Sequence, residues 1–121
     1  MFGQYIVRPI HTPATGTANL ASASLSVTTS VQKGFRLVCA FISFSAAVST
    51  ETATVTIDSG TATAYDCIIK SWSLSSTSDA FYLPENDLIL PEGFQIILAC
   101  TNANTPAAIA YGTIVTESIG I

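Results

Sequence analysis

Hydrophobic and polar positions alternate along most of this chain with the period of two expected of β-strands. The run from Phe94 to Thr101 shows it best. It is too short for a typical helix and rich in β-branched and aromatic residues, so it reads as a strand. Phe94, Ile96, Leu98 and Cys100 fall on one face, and Gln95, Ile97, Ala99 and Thr101 on the other. Both faces are largely apolar, which places the strand inside a layered β structure. Pro84 and Pro91 punctuate the segment before it, and Leu90-Pro91-Glu92-Gly93 has the residues of a type I turn.

The same pattern extends in both directions. Phe35 to Ala47 reads as a second central strand, with Leu37, Cys39 and Phe41 opposed to Val38, Ala40, Ile42 and Phe44. Glu51 to Asp58 is half-buried: Ala53, Val55 and Ile57 point in and the threonines point out. Leu20–Val31 gives a weaker strand, and Ala64–Leu74 another, with Tyr65, Cys67 and Ile69 opposed to Ile68 and Trp72. Ala80–Leu83 and Asp87–Leu90 are short strands between proline turns, and Ala107–Glu117 is the last. About eight strands at this turn spacing predict an all-β, two-sheet β-sandwich, with a jelly roll as the expected form. The expected organisation is an extended N-terminal arm over residues 1–19 and a sandwich domain over residues 20–121, because Pro9 to Asn19 offers nothing large to bury.

Composition narrows the function. Charged residues make up 10% of the 121, against about 25% in an ordinary soluble domain. No apolar run approaches the ~20 residues of a transmembrane helix, so no membrane partner is expected. The remaining reading is a surface neutralised by Ser and Thr and covered in part by partners. A net charge of −4, with Arg8, Lys33, Arg36 and Lys70 as the basic residues, leaves no electrostatic footprint for nucleic acid. The first residues lack a basic region followed by an apolar stretch, so no secretory signal is expected. Cys39, Cys67 and Cys100 each lie within a strand and are expected to be buried free thiols. Their odd number and spacing suit neither a disulfide framework nor zinc.

Candidate chemistry is sparse. His11, the one histidine, sits in a Pro/Thr-rich stretch that is a poor support for a catalytic base and reads as solvated. Asp58 and Asp66 flank one connection, and Glu85, Asp87 and Glu92 lie in adjacent turns, where carboxylates ordinarily serve the turn or the solvent. No EF-hand spacing or phosphate loop is present. The expectation is a protein that is not an enzyme and needs no cofactor or metal. Trp72, Tyr65, Tyr82 and Tyr111 are candidates for a sugar platform, with core or interface packing as the plainer role. Phe2, Tyr5, Ile6 and Arg8 in the arm and Ile119 and Ile121 in the tail are the expected partner-binding residues, since they are apolar or cationic anchors at the ends of a charge-poor chain.

The arrangement Gly34-Phe35-Arg36-Leu37, Thr54-Val55-Thr56-Ile57-Asp58-Ser59-Gly60, Ala64-Tyr65-Asp66, Phe81-Tyr82-Leu83-Pro84 and Gly93-Phe94-Gln95-Ile96 resembles small structural proteins of tailed bacteriophage particles. The resemblance covers roughly residues 34 to 117. It implies a virion β-sandwich, a capsid decoration or cement protein that binds the major capsid protein as a homotrimer. Such a protein sits on the outer surface of the capsid after assembly in the host cytoplasm. No fingerprint in the arrangement separates head decoration from head-fibre, tail or baseplate parts, and the alternative expectation is a carbohydrate- or receptor-binding module of a head fibre or tail.

Overall fold

The computed structural model describes residues 11–61 and 64–119. Among these the chain forms nine strands: β1 (His11–Asn19), β2 (Leu25–Thr28), β3 (Phe35–Val48), β4 (Glu51–Asp58), β5 (Cys67–Leu74), β6 (Thr77–Tyr82), β7 (Ile89–Leu90), β8 (Gln95–Cys100) and β9 (Ile109–Ser118). They build two antiparallel sheets that pack as a sandwich, one in the order β1-β9-β3-β6 with β7 added beside β3, the other in the order β2-β8-β4-β5.

The order follows from one long ribbon. β4 pairs with β5, β3 with β6, β2 with β8 and β1 with β9, so the two halves of the chain run antiparallel along each other. The pairings β3·β9 and β4·β8 then fold the ribbon into two sheets. This arrangement is compatible with the expected jelly roll. Inner-face side chains of both sheets meet in one core. Phe35, Leu37, Ala40, Ile42, Ala110 and Ile114 come from one sheet, and Leu25, Val27, Val55, Ile96, Leu98 and Cys100 from the other. Burying each large aliphatic or aromatic side chain contributes roughly 1.5–3 kcal/mol.

The central strand β8 follows its predicted alternation, with Ile96, Leu98 and Cys100 buried, and β4 does the same with Ala53, Val55 and Ile57. In β3 the alternation breaks. Leu37 is opposite Thr116 while Cys39 is opposite Val115, so Val38 is an extra, bulged residue. The bulge reverses parity: Phe35 and Leu37 are buried before it, and Ala40, Ile42 and Phe44 after it. Leu37 is thereby separated from Cys39 and Phe41, which turn to the outer face. β5 behaves likewise: Val55 pairs with Lys70 and Thr56 with Ile68, leaving Ile69 as the extra residue.

Three further expectations are corrected. Residues 11–19 are not part of an arm: they form β1, paired with β9 over their whole length. Their lack of large side chains suits an edge strand, and Pro13 is tolerated there because the edge has no ladder partner waiting for its missing N–H. Cys67 is exposed, because β5 is an edge strand and Cys67 begins it, whereas Cys39 is half-buried and Cys100 buried. The turn before β8 runs one residue later than expected, from Pro91 to Phe94, closed by Phe94 N–H to Pro91 O at 3.3 Å. Gly93 is its third residue with φ +93°, a position that only glycine occupies without strain.

Where β2 packs over β1 and β9, the chain uses two glycines opposite each other, Gly16 on β1 and Gly112 on β9. A β-carbon on Gly16 would lie 2.8 Å from Val27 Cγ2, and one on Gly112 2.9 Å from the same atom. Side-chain-free backbone there lets β2 close one lateral side of the sandwich.

Candidate interaction surface

The outer face of the β1-β9-β3-β6 sheet is built by strand register. Residues directly opposite on antiparallel strands share a face. Thr15, Thr113, Phe41 and Phe81 therefore form one row across four strands, and Thr17, Tyr111, Ser43 and Asp79 the next. A third row holds Pro13, Val115 and Cys39. Phe41 and Phe81 stack with ring centroids 6.1 Å apart at 20°. Phe81 stays 58% exposed and Tyr111 46%. Asp79 is the one ionisable carboxylate in these three rows. An apolar centre with a neutral Thr/Ser margin is the composition of a contact surface, from which charges are depleted.

Charge gathers at one end of this face. Glu117 on β9 lies in register between His11 on β1 and Arg36 on β3. Arg36 Nη2 donates to Glu117 Oε2 at 2.8 Å, and His11 Nε2 lies 3.0 Å from the same oxygen. Arg36 also reaches Asp87 at 3.9 Å. His11, expected to be solvated, is exposed and joined to this cluster. The hydrogen bond from Arg36, then that from His11, holds the Glu117 carboxyl below its ordinary range. A depressed folded-state value means the unfolded chain binds the proton more readily, so the contribution of Glu117 is present above the unfolded value and fades as pH falls through the folded one. Thermal unfolding of Glu117→Gln should fall below the parent at neutral pH and converge with it in acid. A gap that persists unchanged in acid would refute the assignment.

The carboxylates flanking the connection from β4 to β5 serve the backbone. Asp58 accepts Gly60 N–H at 2.9 Å. Asp66 accepts Ser59 N–H at 2.9 Å and the Ser59 hydroxyl at 3.2 Å, and that hydroxyl also contacts the carbonyl of Ala64. These bonds hold Tyr65 at φ +67° with 81% of its surface exposed. The pair Asp58 and Asp66 therefore braces a turn and is not arranged as an acid–base couple. Among the described residues no group of three or more His, Cys, Asp and Glu side chains is placed to hold a metal ion.

A cleft of about 510 Å³ opens on the lateral side, between the edges of β5 and β6. Lys70, Tyr82, Glu85, Asn86 and Asp87 line it with Phe81 and Leu83. Trp72 packs against the core, with Lys70 Nζ 5.8 Å from its ring centroid, so it is no free sugar platform.

Of the residues expected to bind partners, Ile119 is described. Its N–H meets the carbonyl of Gly34 at 3.4 Å, its side chain covers that glycine, and 41% of it remains exposed. Phe2, Tyr5, Ile6, Arg8 and Ile121 lie outside the described residues. Sequence reasoning missed the Phe41–Phe81 pair. The signal existed in the flanking Ala80, whose burial forces Phe81 outward, but the bulge at Val38 hid the parity of Phe41.

Searched against known proteins, the chain matches no family model, no curated protein and no solved structure.

Proposed function

We propose that this chain is a structural component of a bacteriophage particle, a capsid decoration protein that binds the head shell as an oligomer and stabilises it. The observation that carries the reading is the outer sheet face, where Phe41, Phe81, Tyr111, Val115 and Cys39 lie together with Asp79 as the one charge in three rows. On this face apolar side chains are presented, while Asp58, Asp66 and Glu117 brace a turn and strand ends elsewhere. Linked weak contacts on a shell act together through effective concentration, so release requires all of them to open at once. The apolar side chains of Phe2, Tyr5 and Ile6 are proposed to add to the contact set.

Purified chain lacking residues 1–10 tests this on heads of the phage whose genome encodes it. The expected result is retained folding, since the core cluster and the strand pairings are built from residues 11–119, with occupancy reduced at least about tenfold and earlier heat release of DNA. Full occupancy of the shortened chain, or no binding by the full one, would remove the proposal.

A carbohydrate-binding role in a head fibre or tail is the second reading, favoured by the lateral cleft with donors on Lys70 and Asn86 and acceptors on Glu85 and Asp87. Glycan-array binding by the parent, abolished in Asp87→Ala with the fold intact, would prefer it.

A further inference from the structure

The two sheets part on one lateral side, and strand register decides which side chains line the opening. Lys70 on β5 stands opposite the inward Val55, and Tyr82 on β6 opposite the inward Ala40, so both share the inner faces of their sheets. Both line the lateral cleft of about 510 Å³, which is within the size range of small-ligand sites. The turn after β6 adds Glu85, Asn86 and Asp87 as a polar lip. Among the described residues Lys70 joins no ion pair. Its ammonium rests 5.8 Å from the centroid of the Trp72 ring. The Tyr82 hydroxyl makes no hydrogen bond to another described residue. An inward lysine on an edge strand also discourages pairing with another chain. That task asks for neither a half-buried tyrosine on the facing edge nor a polar lip.

We infer that this cleft and the groove beside it bind a neutral oligosaccharide of at least two sugar units, which passes over Phe81. The inference rests on the second reading above, that the cleft takes a carbohydrate, and adds the charge and the length of the ligand. Charge decides against an acidic sugar. Glu85 and Asp87 are answered by Lys70 and by Arg36, which reaches Asp87 at 3.9 Å, so the cleft holds no net charge. The groove carries Asp79, which joins no ion pair among the described residues. An anion would gain Lys70 and meet three carboxylates. Sugar hydroxyls both donate and accept, which suits ammonium and amide donors set beside carboxylate acceptors.

Length follows from Phe81. It lines both the cleft and the groove, a depression of about 350 Å³ that also holds Ser43. Stacking on Phe41 with centroids 6.1 Å apart fixes the Phe81 ring, while 58% of the residue stays exposed. A fixed and exposed aromatic ring gives the apolar C–H face of a sugar a place to pack. Polar groups in the cleft and in the groove then receive the hydroxyls of successive units.

A glycan array carrying neutral, acidic and amino-sugar chains of one to six units tests this, with calorimetry on the strongest binder and circular dichroism to confirm folding. Neutral chains should bind, and affinity should rise at least about tenfold from one unit to three. Phe81→Ala, a change at an exposed position, should weaken binding about tenfold. Tyr82→Phe and Lys70→Met keep the packing of their side chains and should each cost about three- to tenfold, the loss of one hydrogen bond. Absence of binding to every carbohydrate would remove the carbohydrate reading and this inference together. Binding that favours acidic or amino sugars, is no tighter for chains than for single units, or is untouched by Phe81→Ala or by Tyr82→Phe would overturn the inference and leave the carbohydrate reading standing.

Discussion

Gly112→Leu should destabilise the protein by about 3 kcal/mol, at the upper end of what overpacking a close-packed core ordinarily costs. Gly112 faces inward on β9, opposite Gly16 on β1. A β-carbon there would already be 2.9 Å from Val27 Cγ2, 3.0 Å from Leu25 Cδ2 and 3.3 Å from Leu98 Cδ2. Val27 is β-branched with few alternative rotamers, so it cannot step aside cheaply. Relief requires β2 to move away from β9, which opens the core on that side. Gly112→Ala should cost less, about 1–2 kcal/mol, because a single methyl needs shifts of only a few tenths of an ångström. Denaturant unfolding of both variants checks the order. Equal stability of Gly112→Leu and the parent would mean that β2 does not close on β9.

Glu51→Ala should cost about 2–3 kcal/mol, through a different mechanism. Glu51 lies on the inward side of β4 and is 1% exposed. Its carboxylate accepts the Thr101 hydroxyl at 2.6 Å, Ala103 N–H at 2.9 Å and Asn104 N–H at 2.7 Å. The loop between β8 and β9 is thus wrapped around one buried charge, and Asn104 Nδ2 adds a bond to Thr50 O at 2.8 Å. Hydrogen bonds to a charged group contribute roughly 1.5–3 kcal/mol each, partly recovered when the freed loop donors meet water. Burial alone pushes the Glu51 carboxyl up, but the bonds from Thr101, Asn104 and Ala103 outweigh it and hold it below the ordinary range. Its contribution is therefore present above the unfolded value and lost as pH falls through the folded one. The deficit of Glu51→Ala, measured by urea unfolding, should be largest at neutral pH and shrink in acid. Amide exchange at Ala103 and Asn104 should quicken in the variant. Unchanged exchange there would show that the carboxylate does not order the loop.

Both effects bear on the proposed role. A protein that works by contact needs its loops and edges fixed before the partner arrives, since ordering them on binding subtracts from affinity. Glu51 fixes one end of the sandwich, and the Glu117 cluster ties three strands together at the other.

The alternation in β4, β8 and β9 was legible in the sequence because each strand runs without a bulge and one face is buried. Local period then maps directly onto burial. The all-β class followed from the same signal. The low share of charged residues was likewise a property of the sequence alone. The turn at Asp58-Ser59-Gly60 was readable too, since asparagine-like side-chain bonding to the backbone is local. Other features resisted reading for the opposite reason. β1 has no large apolar residue, and residues 11–19 look like an arm until β9 is found beside them. Glu51 looks like one more polar residue ahead of an alternating strand, because its partners lie about fifty positions away.

The sequence by itself determined the all-β class, which sides of the regular strands β4, β8 and β9 face the core, and that the chain carries few charges. Only the tertiary structure decided where parity reverses at Val38 and Ile69, that Phe41 stacks on Phe81, and that residues 11–19 pair with β9. Period and composition are properties of neighbours along the chain. Bulges, cross-strand pairs and edges are properties of which strands lie side by side, and that choice is made by long-range packing that no short stretch of residues records.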